Sequence, residues 1–310
     1  MCLYGWRNIQ VILLEWYFLI VVSFQLKIRL ITMTKLCRYF LILLLISPII
    51  VESQNSERII TNFNNGWRFQ LGNAESANYK MDLNDSNWQM VNVPHSLELT
   101  TMDLNGYEDD KYQDTFMRNV GWYRKSFEIT GDSSKKIFIE FEGVHQVTDL
   151  WVNGTHVGRH SVGGYTPFHF DISPFIDYGN TNQVTVLADN RKRNDVPPDP
   201  GPMDYIKFGG MYRDVYLVET NPLYITFNWE SETSGQTITT PTVDPINMNG
   251  TINIKTSVRN ESNQPKKTTV VNRIVNHEGV VVLKLSQTRE IPTGGEIVFN
   301  QIGSIEDDLH

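Results

Sequence analysis

From Ile59 onward the apolar residues of this 310-residue chain come in short alternating runs, each closed by a turn signal, and no stretch holds a helical period. That single pattern excludes helical and alternating α/β folds. Asn64-Asn65-Gly66 leads into Trp67-Arg68-Phe69, Asn84-Asp85-Ser86-Asn87 leads into Trp88, and Val91 and Val93 alternate before Pro94. Residues 122–129 resume a strand, and residues 136–142 place Ile137, Ile139 and Phe141 on one face. Residues 147–152 run into Asn153-Gly154, the strongest hairpin signal in the chain, because both residue types tolerate positive φ. Gly163-Gly164 precedes a run at 165–172, and residues 183–189 alternate again. After a loop with four prolines, Pro197, Pro198, Pro200 and Pro202, Val215 and Leu217 alternate with Asp214, Tyr216 and Glu219, which predicts a strand with one buried face. About eight to ten strands over roughly 160 residues predict a jelly-roll β-sandwich.

Asn221-Pro222 breaks this series and a second one follows. Runs at 223–229, 251–258, 268–276, 280–287 and 296–302 predict an immunoglobulin-like sandwich. Their number is low for that fold, so the second sandwich is expected to be incomplete, truncated before a closing strand. The domains are therefore expected at 54–220 and 221–310.

Residues 1–53 differ in kind. They hold both cysteines, Cys2 and Cys37, and two apolar runs at 11–24 and 40–51. The second run follows Lys35 and Arg38, has the length of a signal-peptide core and ends at Val51-Glu52-Ser53. Residues 33–53 read as a cleaved signal peptide that exports the chain to the periplasm or the extracellular space, with 1–32 an over-extended start. Both runs are shorter than the roughly 20 apolar residues of a membrane helix, so no integral span is expected. The mature chain would have no cysteine, and its stability would come from packing. With 27 basic against 35 acidic residues the net charge is -8, which argues against nucleic acid as a partner.

The succession of Gly66-Trp67-Arg68-Phe69, Trp88 with Val93-Pro94-His95, Gly121-Trp122-Tyr123-Arg124, Phe141-Glu142-Gly143-Val144, Trp151-Val152-Asn153-Gly154, Gly163-Gly164-Tyr165-Thr166-Pro167-Phe168 and Gly209-Gly210-Met211-Tyr212-Arg213-Asp214-Val215 resembles the N-terminal part of glycoside hydrolase family 2. That family contains β-galactosidases, β-glucuronidases and β-mannosidases. The resemblance implies a sugar-binding jelly roll and an immunoglobulin-like sandwich, followed in the family by a (β/α)₈ barrel. Retaining chemistry uses two carboxylates roughly 5 Å apart. The family carries both in the barrel, which this sequence lacks, so it is expected to hold no catalytic residue and to be inactive alone.

The resemblance also implies site residues. Asp204 stands ten residues before Asp214, the spacing of a β-galactosidase aspartate that reaches the sugar subsite, in some members beside a sodium ion. A carboxylate suits that place because it accepts from two hydroxyls at once. Asn119 matches a second asparagine lining the same subsite, where an amide can donate and accept. Asp204 as a turn cap and Asn119 as a turn former are the plainer alternatives. Glu261 follows an asparagine, as the family acid does, yet stands in a polar turn and is expected to be solvated. Trp122, Tyr123, Tyr165 and Phe168 are either core aromatics or sugar platforms. His95, His145, His156 and His160 lack metal-ligand spacing and are expected to be solvated. Gly163-Gly164 and Gly209-Gly210 lack the context of phosphate loops and are read as sites of tight backbone geometry. The expected partner is a β-galactoside-type glycan, and a homo-oligomer is compatible with the sequence. A β-glucuronidase or β-mannosidase specificity, a non-catalytic carbohydrate-binding module and a structural surface protein remain as rival readings.

Overall fold

The computed structural model describes residues 58–97, 119–191, 193–197, 208–230 and 233–306. The leader and its apolar runs lie outside them. Among the described residues no helix is long and apolar enough to cross a membrane.

The first half contributes β1 (Ile59–Asn62), β2 (Trp67–Gly72), β3 (Gln89–Val91), β4 (Val120–Glu128), β5 (Lys136–Phe141), β6 (Val147–Val152), β7 (Thr155–His160), β8 (Phe168–Asp171), β9 (Thr181–Asp189) and β10 (Val215–Thr220). They form two antiparallel sheets, ordered β1-β10-β5-β8 and β3-β2-β4-β9-β6-β7. The hairpin between β6 and β7 pairs Val152 with Thr155 across Asn153 and Gly154, whose φ values of 50° and 77° are those the turn demands. Between the sheets lies the main core, with Trp67, Phe69, Tyr123, Ile139, Phe141, Leu150, Val186 and Val215 buried in one cluster. This is the jelly-roll sandwich that the alternation predicts.

Alternation does not reveal that the sandwich is covered on its outer faces as well. Residues 73–88 cross the outside of the six-stranded sheet, where Trp88, Trp122 and Leu187 pack with Tyr79, Leu83 and Trp151. Consecutive residues Trp122 and Tyr123 therefore point to opposite faces and are both fully buried. The crossing segment is fastened by Arg124, 1% exposed, whose guanidinium donates to Asp85 Oδ2 at 2.9 Å and to the Lys80 carbonyl at 3.0 Å. On the other side, Val218 of β10 and Phe138 of β5 pack outward against Tyr224 and Phe227. The strand at 215–220 thus buries both faces, because the second half of the chain covers the one that the alternation leaves to solvent.

That second half adds β11 (Leu223–Ile225), β12 (Gln236–Asp244), β13 (Asn249–Asn260), β14 (Lys266–Val275), β15 (Val281–Ile291) and β16 (Glu296–Ile305). Along β13, β16 runs on one side while β12 and β11 share the other. The β14–β15 hairpin forms the second layer, with Val270 and Ile291 packed on Val258 and Phe299. Strand β12 has no counterpart among the expected runs, and its own run is interrupted by Pro241. The structure accommodates the proline on an edge strand, beside a register shift between Thr239 and Thr242.

Candidate functional site

The strand register gathers one rim of the first sandwich. Gly72 pairs with Val120, Val120 with Asp189, and Asp189 with Val147, so the loops flanking these residues share an end of the sheet. The opposing sheet delivers Phe141, Val215 and Phe168 to that end, and an isolated bridge joins His145 to Gly210. Asn119, Asn190, His145, Gln146, Tyr165 and the segment from Gly209 to Tyr212 therefore belong to one loop cluster.

Asn119 stands at the start of β4, half-buried. Its main-chain N–H donates to Asn190 Oδ1 at 2.7 Å, and the Asn190 N–H returns to the Asn119 carbonyl at 3.1 Å. Its own Oδ1 accepts from the Val120 N–H at 2.8 Å. One lone pair of that oxygen is thus committed, while Nδ2 has no hydrogen-bond partner among the described residues. The side chain is a donor first, narrower than the two-way amide that the residue type allows. Asp204, and with it the sodium expectation, lies outside the described residues. Among the described residues no group of three or more His, Cys, Asp or Glu could hold a metal ion.

The aromatics divide. Trp122, Tyr123 and Phe168 are core, whereas Tyr165 is 38% exposed at the rim, stacked on His145 with 4.8 Å between centroids and an 8° interplanar angle. The histidines correct the expectation of solvation. His145 is 2% exposed, His95 Nδ1 lies 2.9 Å from the Tyr123 hydroxyl, and His160 stacks on Phe168 at 3.9 Å. Burial pushes the imidazole of His95 below its ordinary value. Burial does the same for His160, against the opposing pull of the Gly163 carbonyl. Only His156, paired with Asp149 at 3.0 Å, keeps an exposed ring among these four. Gly210 has φ of 102° and an added Cβ would fall 2.8 Å from the His95 carbonyl, so tight backbone geometry is what this glycine provides.

Glu261 is exposed, as expected, but its carboxylate is not without protein partners. Its carboxylate accepts from the Tyr224 hydroxyl at 2.8 Å and pairs with Lys136 at 2.8 Å, tying the second sandwich to β5 of the first. Tyr224 is pushed upward by burial and by that bond. Arg259 extends the joint to Glu230 and Glu296, and Glu230 also meets His169 at 3.3 Å. Asn190 is the rim residue that sequence reasoning misses. An asparagine just after an alternating run reads as a turn former, and only the pairing of β9 with β4 sets it beside a residue 71 positions earlier.

The loop rim of this jelly roll presents an Asn119 amide nitrogen without a hydrogen-bond partner among the described residues and a partly exposed Tyr165. Residues 60–222 match the family model of the glycosyl hydrolases family 2 sugar-binding domain. The chain belongs to glycoside hydrolase family 2. It is 31% identical over 262 residues to a β-glucuronidase of Formosa agariphila, covering 81% of this chain and 26% of that protein. It is 40% identical over 170 residues to a β-galactosidase of Thermoanaerobacter pseudethanolicus, covering 54% of this chain and 22% of the relative. A solved β-glucuronidase from family 2 superposes with a TM-score of 0.68 at 29% identity, over 81% of this chain and 27% of its own. The chain thus spans about a quarter of the length of these relatives.

Proposed function

We propose that this chain is the sugar-recognising N-terminal portion of an exported glycosidase acting on β-galactosides. Within it, Asn119 and Asp204 contribute to the sugar subsite, a sodium ion beside Asp204 is compatible with that role, and the two catalytic glutamates belong to a barrel outside this sequence. The observation that carries the reading is the 40% identity to a β-galactosidase over 170 residues. The Nδ2 of Asn119 at the loop rim, without a partner among the described residues, gives it a chemical means, since an amide N–H donates to a sugar hydroxyl. A second reading, β-glucuronide specificity, is favoured by the longer match to a β-glucuronidase, which covers 81% of this chain.

The test is kinetic. The whole protein, assayed on p-nitrophenyl β-D-galactoside and β-D-glucuronide, is expected to show the higher kcat/KM on the galactoside. A preference for the glucuronide establishes the second reading and overturns the first. Asp204→Ala is expected to raise KM for the galactoside, and the 310-residue chain alone is expected to release no p-nitrophenol.

A further inference from the structure

We infer that Asn190 is a positioning residue of the sugar-facing rim, holding the Asn119 backbone and seating Gly209 beside it. The inference rests on the reading of Asn119 as a sugar contact. Asn190 follows the last residue of β9 and is 6% exposed. Its Oδ1 takes the Asn119 N–H at 2.7 Å, and its main-chain N–H donates to the Asn119 carbonyl at 3.1 Å. The two residues therefore extend the β4–β9 ladder by one pair beyond Val120 and Asp189, with a side chain replacing a main-chain acceptor.

The other flank of the carboxamide lies against Gly209. A Cβ added at Gly209 would fall 2.2 Å from Asn190 Nδ2 and 2.5 Å from its Cγ. Gly209 in turn accepts the Leu97 N–H at 3.0 Å. One buried carboxamide thus meets two loops of the rim, and the geometry explains why the residue is asparagine. Leucine has nearly the same volume but no acceptor for Asn119. Glutamine is one methylene too long for the space left by Gly209. Aspartate keeps the acceptor at the same reach.

The experiment compares Asn190→Leu, Asn190→Asp, Asn119→Ala and the double variant Asn190→Leu with Asn119→Ala in the whole protein. Loss of one main-chain-to-side-chain hydrogen bond is expected to speed amide exchange at Asn119 about fivefold to tenfold in Asn190→Leu. Asn190→Asp is expected to leave it near the parent rate. On p-nitrophenyl β-D-galactoside, Asn190→Leu is expected to raise KM about fivefold with kcat within about twofold. In the Asn119→Ala background the same change is expected to add nothing.

Unchanged exchange at Asn119 in Asn190→Leu overturns the inference, as does a KM effect that is the same size with and without the Asn119 side chain. If Asn119→Ala alone leaves KM unchanged, the sugar-contact reading falls, and the exchange measurement decides the positioning role by itself. Should Asn190→Leu fail to fold, Asn190→Ala is measured in the same two assays.

Discussion

The two halves of the chain are built from the same element and differ in what covers it. In the first sandwich β9 buries every residue but its first, because Val184, Val186 and Ala188 face the main core while Leu187 lies under the crossing segment. In the second, β14 alternates half-buried and exposed residues along its whole length. The register sets Ile238 opposite Ile254 on the inner face of β13, yet Ile238 remains 55% exposed because a two-stranded layer does not reach over β12. A strand's alternation tells which face turns inward. Whether anything lies on either face depends on chain segments far away in sequence.

The largest expected effect separates the halves directly. Trp122→Ala empties a fully buried site and is expected to cost about 3–5 kcal/mol, whereas Ile274→Ala on half-buried β14 is expected to cost about 1 kcal/mol. Chemical denaturation with amide exchange read separately on β9 and β14 checks both values. Equal costs would mean that the second layer is as well covered as the first.

The next effect tests the device that covers the first sandwich. Arg124 holds residues 73–88 through Asp85 and main-chain carbonyls, and Trp122 adds an indole N–H to the Asn73 carbonyl at 3.0 Å. Replacing a buried guanidinium by methionine keeps the volume but leaves its acceptors unsatisfied. With Asp85 26% exposed and able to recover water, Arg124→Met is expected to cost about 2–3 kcal/mol and to raise protease cutting within 73–88 before global unfolding. Cutting that stays at the parent level would remove Arg124 from this role.

These contrasts mark how far the sequence was legible. The strands of the first sandwich, its hairpin at Asn153-Gly154 and its division into two sheets follow from period and turn chemistry, which are local. The crossing segment was invisible because 73–88 carries turn residues and scattered aromatics without a period. The run of β12 is interrupted by Pro241. At the rim, a motif points to Asn119, but its partner Asn190 is a property of the β4–β9 register. Glu261 is legible as an exposed turn residue, but its ion pair is not, because Lys136 lies in the other sandwich.

The joint between the halves ranks third. Lys136 is 19% exposed and pairs with Glu261 and Asp171, so each pair is only partly shielded from water. Lys136→Met keeps an unbranched apolar side chain and removes the charge, which lies 5.9 Å from the Phe138 ring centroid. It is expected to cost about 0.5–1 kcal/mol, less at high salt. A cost above that of Arg124→Met would make the joint, rather than the covered faces, the main source of the first half's stability.

The smallest effect is a slope. Burial holds the His95 imidazole below its ordinary value, so on acidification the unfolded chain binds the proton first. His95 therefore contributes its stability in full above about pH 6.5, the ordinary histidine value, and that contribution is lost as the pH falls toward the depressed folded value. His160 acts in the same direction, while Glu140, pushed up by burial, acts in the opposite one. Because these groups oppose one another, only the difference between parent and His95→Phe isolates the residue. Phenylalanine keeps a ring against Phe69 but loses the contact with the Tyr123 hydroxyl, so the variant starts lower at pH 7.5 and is expected to fall less steeply toward pH 5.5. Among the described residues of the second sandwich the lone histidine, His277, is exposed, so amide exchange in β13–β16 is expected to respond least to this change. An identical slope in parent and variant would show that the proton taken up on unfolding goes to another group.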